Sequence, residues 1–198
     1  MNCKKVLFVG AHPDDIELSC SGFIKRLIDE GVEVVCLICS SGGLGGNISE
    51  RVEEQKNSAI KMGVKFYNFS WEDGYIAMNG ETVGMVEKFI MFNKFDLVVT
   101  HYFEDTHQDH TTVAKIVKSV CYRKNISLMY FDSSSSTNFA PNFYISIDLK
   151  YKESVIKLFR SQVNRSNILE KARVKAMYNG IQSGNDFAEA YRVERLLW

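Results

Sequence analysis

The sequence lacks several features that would assign it to a membrane, fibrous or nucleic-acid-binding class. Among its 198 residues there are only two prolines, and no hydrophobic run is long enough to cross a bilayer. Lys plus Arg and Asp plus Glu number 24 each, and no basic cluster is present that could follow a phosphate backbone. The hydrophobic share of 45% is that of a globular protein with a substantial core. We therefore expect a soluble protein without a membrane span that does not bind nucleic acid.

The N-terminal and cysteine patterns predict a cytoplasmic location. The apolar stretch that ends at Gly10 carries no signal-peptide cleavage site. The five cysteines are odd in number and scattered, which is atypical of a disulfide framework. Cys36 and Cys39 form a C-x-x-C motif inside an apolar, strand-like run. Because residues three apart in a strand point to opposite faces, we interpret both as buried packing residues rather than redox or metal residues.

Apolar strand-like runs alternate with amphipathic helical stretches along the chain. Strands are predicted at 5–10, 32–39, 64–69, 95–100, 126–131 and 143–149, helices at 15–30, 49–62, 82–92, 111–122, 152–162 and 166–178, and the segment 187–198 is left unassigned. This alternation predicts an α/β fold whose mostly parallel sheet has helices on both faces, because parallel neighbours need crossover connections. No linker or repeat interrupts the pattern, so we expect one domain over residues 1–198.

Polar residues follow two of the predicted strands. Residues 10–15, of sequence GAHPDD, come after the first strand and lack the glycine spacing of a dinucleotide-binding loop. His101, His107 and His110 follow the fourth strand, so that all four histidines of the chain lie at strand ends. Ligands of open α/β sheets bind beyond the carboxyl ends of strands. The pattern predicts a metal or acid/base site there, although Asp14 or Asp15 could also serve only to cap the following helix.

These two segments contain the residue types of a hydrolytic zinc site. Such a site uses two imidazoles and a carboxylate as ligands and keeps a position open for water. A further carboxylate accepts the proton of that water, and another histidine stabilises the oxyanion and protonates the leaving group. The residues available for these parts are His12, Asp14, Asp15, His107, Asp109 and His110.

The same segments resemble the signatures of the PIG-L/LmbE-like metal-dependent deacetylases. Residues 11–17, AHPDDIE, are similar to the family's A-H-P-D-D-x-E, and residues 107–110, HQDH, to its downstream H-x-D-H. Weaker similarity extends to Arg51 and Glu54, to residues 73–74 and to residues 188–191. The resemblance implies a Rossmann-like three-layer αβα sandwich that removes N-acetyl groups from sugar derivatives, commonly N-acetylglucosamine conjugates, and releases acetate and a free amine.

The resemblance also implies a role for each matching residue. It makes His12, Asp15 and His110 the metal ligands and Asp14 the general base. His107 would stabilise the oxyanion.

Other roles implied by the resemblance concern residues around these six. Asp109 would orient His107, and the predicted substrate-binding residues are Arg51 and Asp105. The alternative for Arg51 is a solvated helix residue that pairs with Glu53 or Glu54. Zn²⁺ is the expected metal, with Fe²⁺, Co²⁺ or Mn²⁺ able to use the same ligands.

Other functions remain open at this point. A metallo-β-lactamase-like hydrolase has an H-x-H-x-D-H motif, but position 105 is Asp here. A metal- or sugar-binding protein without catalysis, or a hydrolase of another amide or acyl substrate, would share the same motifs. The expected partner is a small acetylated amino sugar or its conjugate, and relatives often form homo-oligomers. Substrate choice is expected to depend on the loops 42–48, 71–79 and 133–142.

Overall fold

Strands and helices alternate along most of the chain. The structure, a computed structural model, describes residues 3–197. The strands are β1 (Lys5–Gly10), β2 (Glu33–Ser40), β3 (Lys65–Trp71), β4 (Leu97–His101), β5 (Ser127–Phe131), β6 (Phe143–Ser146) and β7 (Ala188–Arg195), and the helices are α1 (Asp15–Asp29), α2 (Ile48–Met62), α3 (Gly80–Asn93), α4 (Gln108–Lys124), α5 (Leu149–Ile156), α6 (Arg160–Val163) and α7 (Ile168–Ser183). A short 3₁₀ helix, Gly43–Gly45, lies between β2 and α2.

The seven strands form one sheet in the order β3-β2-β1-β4-β5-β7-β6. Strands β1 to β5 are parallel, and β7 runs antiparallel to both of its neighbours. One core cluster joins the sheet to α3 and α4 through residues such as Ile90 and Ile116. The other joins it to α1, α2 and α5 through residues such as Ile24, Met62 and Val155. The predicted α/β sandwich with a mostly parallel sheet is confirmed.

The largest differences from the sequence prediction lie in the C-terminal third. The unassigned segment forms β7, whose residues pair with both β5 and β6, and Trp198 lies outside the described residues. The predicted strand 143–149 ends at Ser146, because Asp148 accepts a hydrogen bond from the backbone N–H of Tyr151 and starts α5. The helix predicted over 152–162 is divided into α5 and α6.

Local capping explains a smaller difference at α2. The helix begins one residue earlier than predicted because the side chain of Asn47, not that of Ser49, accepts the backbone N–H of Glu50 at 3.1 Å. The predicted stop at Gly63 is confirmed, since this residue has a φ of 72° and closes the helix in the left-handed conformation.

The C-x-x-C motif is part of the core. Cys36 and Cys39 are both fully buried in β2 and belong to core clusters on opposite faces of the sheet. Both thiols are free. The interpretation of this motif as packing is confirmed, because the strand geometry directs its two side chains into different layers.

Glu189 of β7 connects three elements in the interior. Its carboxylate accepts the backbone N–H groups of Gly22 at 2.9 Å and Phe23 at 2.8 Å, both in α1. It also pairs with Lys152 of α5, and both side chains are only 3% exposed. The hydroxyl of Tyr191 donates a further hydrogen bond at 2.8 Å. The contacts of Glu189 therefore join α1, α5 and β7 at one buried carboxylate.

Close packing at the same place explains a glycine within α1. A Cβ atom on Gly22 would lie 2.3 Å from Cγ2 of Ile147, so no larger residue fits. Ser21, the residue before Gly22, is fully buried. The helix thus accepts serine at position 21 but requires glycine at position 22.

None of the helices in the described part of the chain combines the length and the apolar character that a bilayer crossing requires.

Replacing Lys152 with Met is expected to destabilise the fold by about 3–5 kcal/mol, because it leaves the Glu189 carboxylate buried without its cationic partner. The matched control is Arg26→Gln, which breaks the exposed 3.0 Å pair with Glu30 and should cost about 0–1 kcal/mol. Urea unfolding followed by circular dichroism measures both free energies. Equal losses in the two variants would contradict this account of the buried pair.

Candidate metal centre

The candidate site lies at the carboxyl edge of the parallel strands. Residues 11–15 follow β1, residues 42–46 follow β2, residues 72–74 follow β3 and residues 133–136 follow β5. They surround a cavity of about 660 Å³. Its lining residues are His12, Asp14, Asp15, Leu44, Gly45, Arg51, Asp73, Gly74, Thr106, His107, Gln108, His110, Ser134, Ser135 and Gln162.

His12 is held by carboxylates on both of its ring nitrogens. Nε2 lies 3.0 Å from Oδ1 of Asp73 and 3.1 Å from Oδ2 of Asp109. Because ionised carboxylates only accept hydrogen bonds, Nε2 carries a hydrogen, which leaves the lone pair of the neutral ring on Nδ1. Nδ1 lies 3.5 Å from Oδ2 of Asp15. Burial opposes protonation of this ring, but Asp109, Asp15 and Asp73 raise the pKa of His12 to about 12.

His110 has the corresponding arrangement with its nitrogens exchanged. Nδ1 lies 3.1 Å from Oδ2 of Asp105 and carries the hydrogen, whereas Nε2 lies 3.4 Å from Oδ1 of Asp15. Burial opposes protonation here too, but the charges of Asp15 and Asp105 raise the pKa of His110 to about 9. Metal-binding histidines in proteins typically donate their outer N–H to a carboxylate in this way.

Asp15 lies between the two histidines, and its oxygens are within 3.5 Å of Nδ1 of His12 and Nε2 of His110. Burial raises the pKa of this carboxyl, but the positive charge of His110 and the adjacent His101 ring outweigh burial and hold it well below the usual value. In the neutral rings, Nδ1 of His12 and Nε2 of His110 carry lone pairs and face the two oxygens of Asp15 in a strongly anionic environment. This donor set fits a divalent cation of the zinc type.

Neighbouring residues could also contribute ligand atoms. Three groups have donor atoms within 4.8 Å of one another: His12 with His107 and His110, Asp15 with His101 and His110, and His12 with Asp73 and Asp109. None of these three groups contains all three predicted ligands: His12 and His110 share the first group, and Asp15 and His110 share the second.

Asp14 has a backbone conformation that is unusual for a residue with a side chain. Its φ is 90°, and it precedes α1 without making a side-chain capping bond. Its N–H donates to Oε1 of Gln55 at 3.2 Å, and Gln55 donates in turn to the buried Glu17 of the same motif. Burial and the adjacent charge of Asp15 raise the pKa of Asp14 to about 8. Its role is therefore not helix capping, and a strained backbone of this kind is common at functional sites.

Arg51 is buried beside Asp14 rather than solvated. Its Nη2 donates to the carbonyl of Pro13 at 2.7 Å and lies 3.5 Å from Oδ2 of Asp14, and its Nη1 donates to the carbonyl of Gly42 at 3.0 Å. Glu54 does not pair with it. The alternative of an exposed helix residue is therefore wrong.

Two interactions around Arg51 fix its surroundings. Glu54 accepts hydrogen bonds from the backbone N–H and the hydroxyl of Ser161. A Cβ atom on Gly45 would lie 2.0 Å from Nη1 of Arg51, so this loop position must remain glycine for the guanidinium to fit.

His107 and Asp109 interact differently from the sequence prediction. The carboxylate of Asp109 does not contact the His107 ring; it contacts His12 and accepts the backbone N–H of Gly74 at 2.8 Å. Instead the backbone N–H of Asp109 donates to Nδ1 of His107 at 3.2 Å. This bond leaves Nε2 as the protonated nitrogen of a neutral His107 ring. Desolvation and the positive charge of His110 lower the pKa of His107, which favours that neutral form.

Asp105 is not among the residues that line the cavity. Its carboxylate is buried, contacts Nδ1 of His110, and accepts hydrogen bonds from the hydroxyls of Ser133 and Ser136. Its other oxygen accepts the backbone N–H of His107 at 2.8 Å. The structure thus gives this residue a contact with a predicted metal ligand where a contact with substrate was expected.

Comparison with known proteins shows which family shares these features. The family model described as GlcNAc-PI de-N-acetylase, PIG-L, matches residues 7–121, which is more than half of the chain. The chain belongs to the PIG-L family. The predicted family is therefore confirmed, and with it the prediction of a deacetylase-class hydrolase. The metallo-β-lactamase alternative is wrong.

Individual PIG-L relatives cover the chain to different extents. An uncharacterized deacetylase, YaiS, from Escherichia coli is 28% identical over 75% of this chain and 84% of its own length. Diacetylchitobiose deacetylase from Thermococcus kodakarensis is 42% identical, but the match spans only 31% of this chain and 27% of that protein. The structure of N,N'-diacetylchitobiose deacetylase from Pyrococcus horikoshii superposes with a TM-score of 0.85 at 23% identity, covering 97% of this chain and 84% of that one. The last comparison shows a shared fold.

The PIG-L motifs do not include every residue of the centre. Sequence reasoning gave no individual role to His101, Asp73 or Gln162, although His101 ends β4 and Asp73 follows β3 at the same sheet edge. Their position at strand ends was the available signal. Gln162 comes from α6, more than 50 residues after the second motif, and nothing in the sequence indicated its place in the cavity wall.

The aromatic residues near the predicted substrate loops contribute little to this PIG-L cavity. Trp71 packs against the core, Tyr102 is buried in it, and Tyr75 is 71% exposed without lining the cavity. The three predicted loops do reach the cavity, through residues such as Leu44, Gly74 and Ser134.

Replacing Asp105 with Asn is expected to raise the Kd for Zn²⁺ about 10- to 100-fold, because the His110 ring loses the carboxylate that fixes its orientation. The control is Asp96→Asn at the opposite edge of the sheet, where the carboxylate accepts the backbone N–H groups of Lys4 and Lys5. Competition with a chromophoric chelator measures both affinities. An unchanged Kd in the Asp105 variant would contradict the assignment.

Proposed function

We propose that this PIG-L protein is a zinc-dependent hydrolase that removes the N-acetyl group from an N-acetylglucosamine-like sugar derivative. The carrying observation is that Nδ1 of His12 and Nε2 of His110 each lie within 3.5 Å of an oxygen of Asp15, beside Asp14 in one cavity. Water adds to the amide carbonyl, the C–N bond breaks, and acetate and a free amine are released.

His12, Asp15 and His110 would hold the metal. Their outer hydrogen bonds to carboxylates support this assignment, because they keep the inner nitrogens free of hydrogen in the neutral rings. A bound divalent ion supplies a Lewis acid that brings the pKa of a bound water to about 7 and polarises a carbonyl.

Asp14 is proposed to accept the proton of the attacking water. It lines the cavity beside Asp15, and its pKa of about 8 is near the pH at which a general base works best. Arg51 stabilises the charged form of Asp14 after its proton has passed on, since its Nη2 lies 3.5 Å from Oδ2. The left-handed backbone at Asp14 directs the carboxylate away from the capping position that it would otherwise occupy.

His107 is proposed to donate a hydrogen bond to the oxyanion and a proton to the departing amine. The backbone N–H of Asp109 occupies its Nδ1, so the Nε2 hydrogen is the one that remains for the substrate. His107 lines the cavity and has a nitrogen within 4.8 Å of those of His12 and His110. A preorganised hydrogen-bond donor aimed at the developing negative charge is a usual means of oxyanion stabilisation.

A polar, uncharged amino-sugar derivative suits the cavity wall. Thr106, Gln108, Ser134 and Ser135 supply hydroxyl and amide groups for a hydroxylated ring. Arg51 is the one Lys or Arg among the lining residues, and its Nη atoms already bond to backbone carbonyls. The named activity of the Thermococcus relative on diacetylchitobiose supports the same substrate class.

We also infer that the chain is a single domain, since one sheet includes strands from Lys5 to Arg195.

Replacing Asp14 with Asn should lower kcat for acetate release about 100- to 10,000-fold while the metal stays bound, because the amide cannot accept the proton of water. Asn tolerates the left-handed backbone, so the fold should be unchanged. Acetate is measured with a panel of free, nucleotide-linked and aglycone-linked N-acetylhexosamines, and metal content by atomic emission. The control is Asp29→Asn on the exposed face of α1.

The same assay separates the remaining functions. An unchanged rate in the Asp14 variant would refute its role as base. A parent protein that binds zinc but releases no acetate from the panel would favour another acyl substrate or a binding role.

Replacing His110 with Ala should reduce the metal content itself, because one of two imidazole ligands is lost. Retention of one zinc per chain in this variant, measured after dialysis against a weak chelator, would remove His110 from the ligand set.

A further inference from the structure

We infer that His101 is a positioning residue of the proposed metal centre, where it fixes the loop that carries His12 and the ring plane of His110. The inference rests on the proposed function and concerns a histidine outside both sequence motifs. His101 is the last residue of β4 and is fully buried. It is absent from the cavity wall, so any effect on the reaction must pass through its neighbours.

Nε2 of His101 connects the strand edge to the first motif. It accepts the backbone N–H of Ala11 at 3.0 Å, immediately before His12, and lies 3.1 Å from Oδ2 of Asp15. The same Oδ2 atom accepts the backbone N–H of His12 at 2.7 Å. His101 therefore limits the movement of the loop that carries His12, and the backbone N–H of that loop in turn holds the Asp15 carboxylate.

Stacking fixes the second ligand. The ring centroids of His101 and His110 lie 4.0 Å apart with an interplanar angle of 16°. His107 stacks on His110 with a centroid distance of 4.5 Å and an angle of 17°. His101 also packs against the core residue Phe131, with the two ring centroids 4.6 Å apart. The position of the His110 ring is thus connected to the hydrophobic core through His101.

A ligand role for His101 is less consistent with its hydrogen bonds. The lone pair on Nε2 is already directed at the Ala11 N–H, although Asp15, His101 and His110 are close enough to form a candidate group. The hydrogen of the neutral ring is then on Nδ1, a buried atom without a partner in the described part of the chain. A buried donor without an acceptor costs stability. A residue chosen for packing alone would not carry that donor, which favours a role in positioning.

Two substitutions separate the two contacts. His101→Phe retains an aromatic ring against His110 but has no acceptor for Ala11, whereas His101→Asn supplies an acceptor but removes the ring. The control is Val98→Ala, which truncates a fully buried side chain of the same strand in the core cluster on the other face of the sheet. Thermal unfolding of all three variants reports how much stability each has lost.

Zinc affinity and the visible spectrum of the Co²⁺-loaded protein test the inference. We expect both His101 variants to bind Zn²⁺ about 10- to 100-fold more weakly than the parent, with altered Co²⁺ absorption bands. We expect Val98→Ala to keep the parental affinity and spectrum despite its lower Tm.

Three results would overturn the inference. Parental affinity and spectrum in both His101 variants would remove its positioning role. An equal loss of affinity in Val98→Ala would reduce its effect to general stability. A parent protein that binds neither Zn²⁺ nor Co²⁺ would overturn the proposed metal centre and this inference with it, and only that result would count against the proposed function.

Discussion

The contacts between two imidazoles and the surrounding carboxylates govern the electrostatics of the site. Asp73 and Asp109 face the outer nitrogen of His12, Asp105 faces that of His110, and Asp15 lies between the inner nitrogens. Negative charge therefore exceeds positive charge in a buried volume. This excess raises the pKa values of both histidines and favours the binding of a cation. A divalent ion would balance this negative charge beside Asp15, where the lone pairs of Nδ1 of His12 and Nε2 of His110 are available in the neutral rings.

Much of the neighbouring structure serves to hold these groups in place. The left-handed backbone at Asp14 is supported by Gln55, and the loop after β2 is fixed to Arg51 by the carbonyl of Gly42. Asp73 links the same loop to the centre, since its second oxygen accepts the N–H of Leu44. The strained backbone at Asp14 is thus held by two buried residues of α2, Gln55 and Arg51, as expected for a preorganised site.

Asp109 of the second motif and Asp105 just before that motif show why sequence proximity did not reveal side-chain contacts. Asp109 lies two positions after His107, yet its carboxylate points from the first turn of α4 towards His12. Asp105 lies two positions before His107 and supports His110 instead. Linear spacing alone does not identify either partner, because side chains two apart at the start of a helix face different directions and because Asp105 lies in the loop before α4.

The sequence by itself determined the α/β class, most of the strand and helix positions up to β5, and the residues that carry the chemistry. These follow from hydrophobic periodicity and from short motifs, which are local properties of the chain. Tertiary structure alone decided which carboxylate pairs with which histidine, the burial of Arg51, the place of β7 between β5 and β6, and the contact of His101 with both motifs. Apart from the local pair of Asp105 and His110, these features depend on residues about 40 to 170 positions apart that meet only when the sheet assembles.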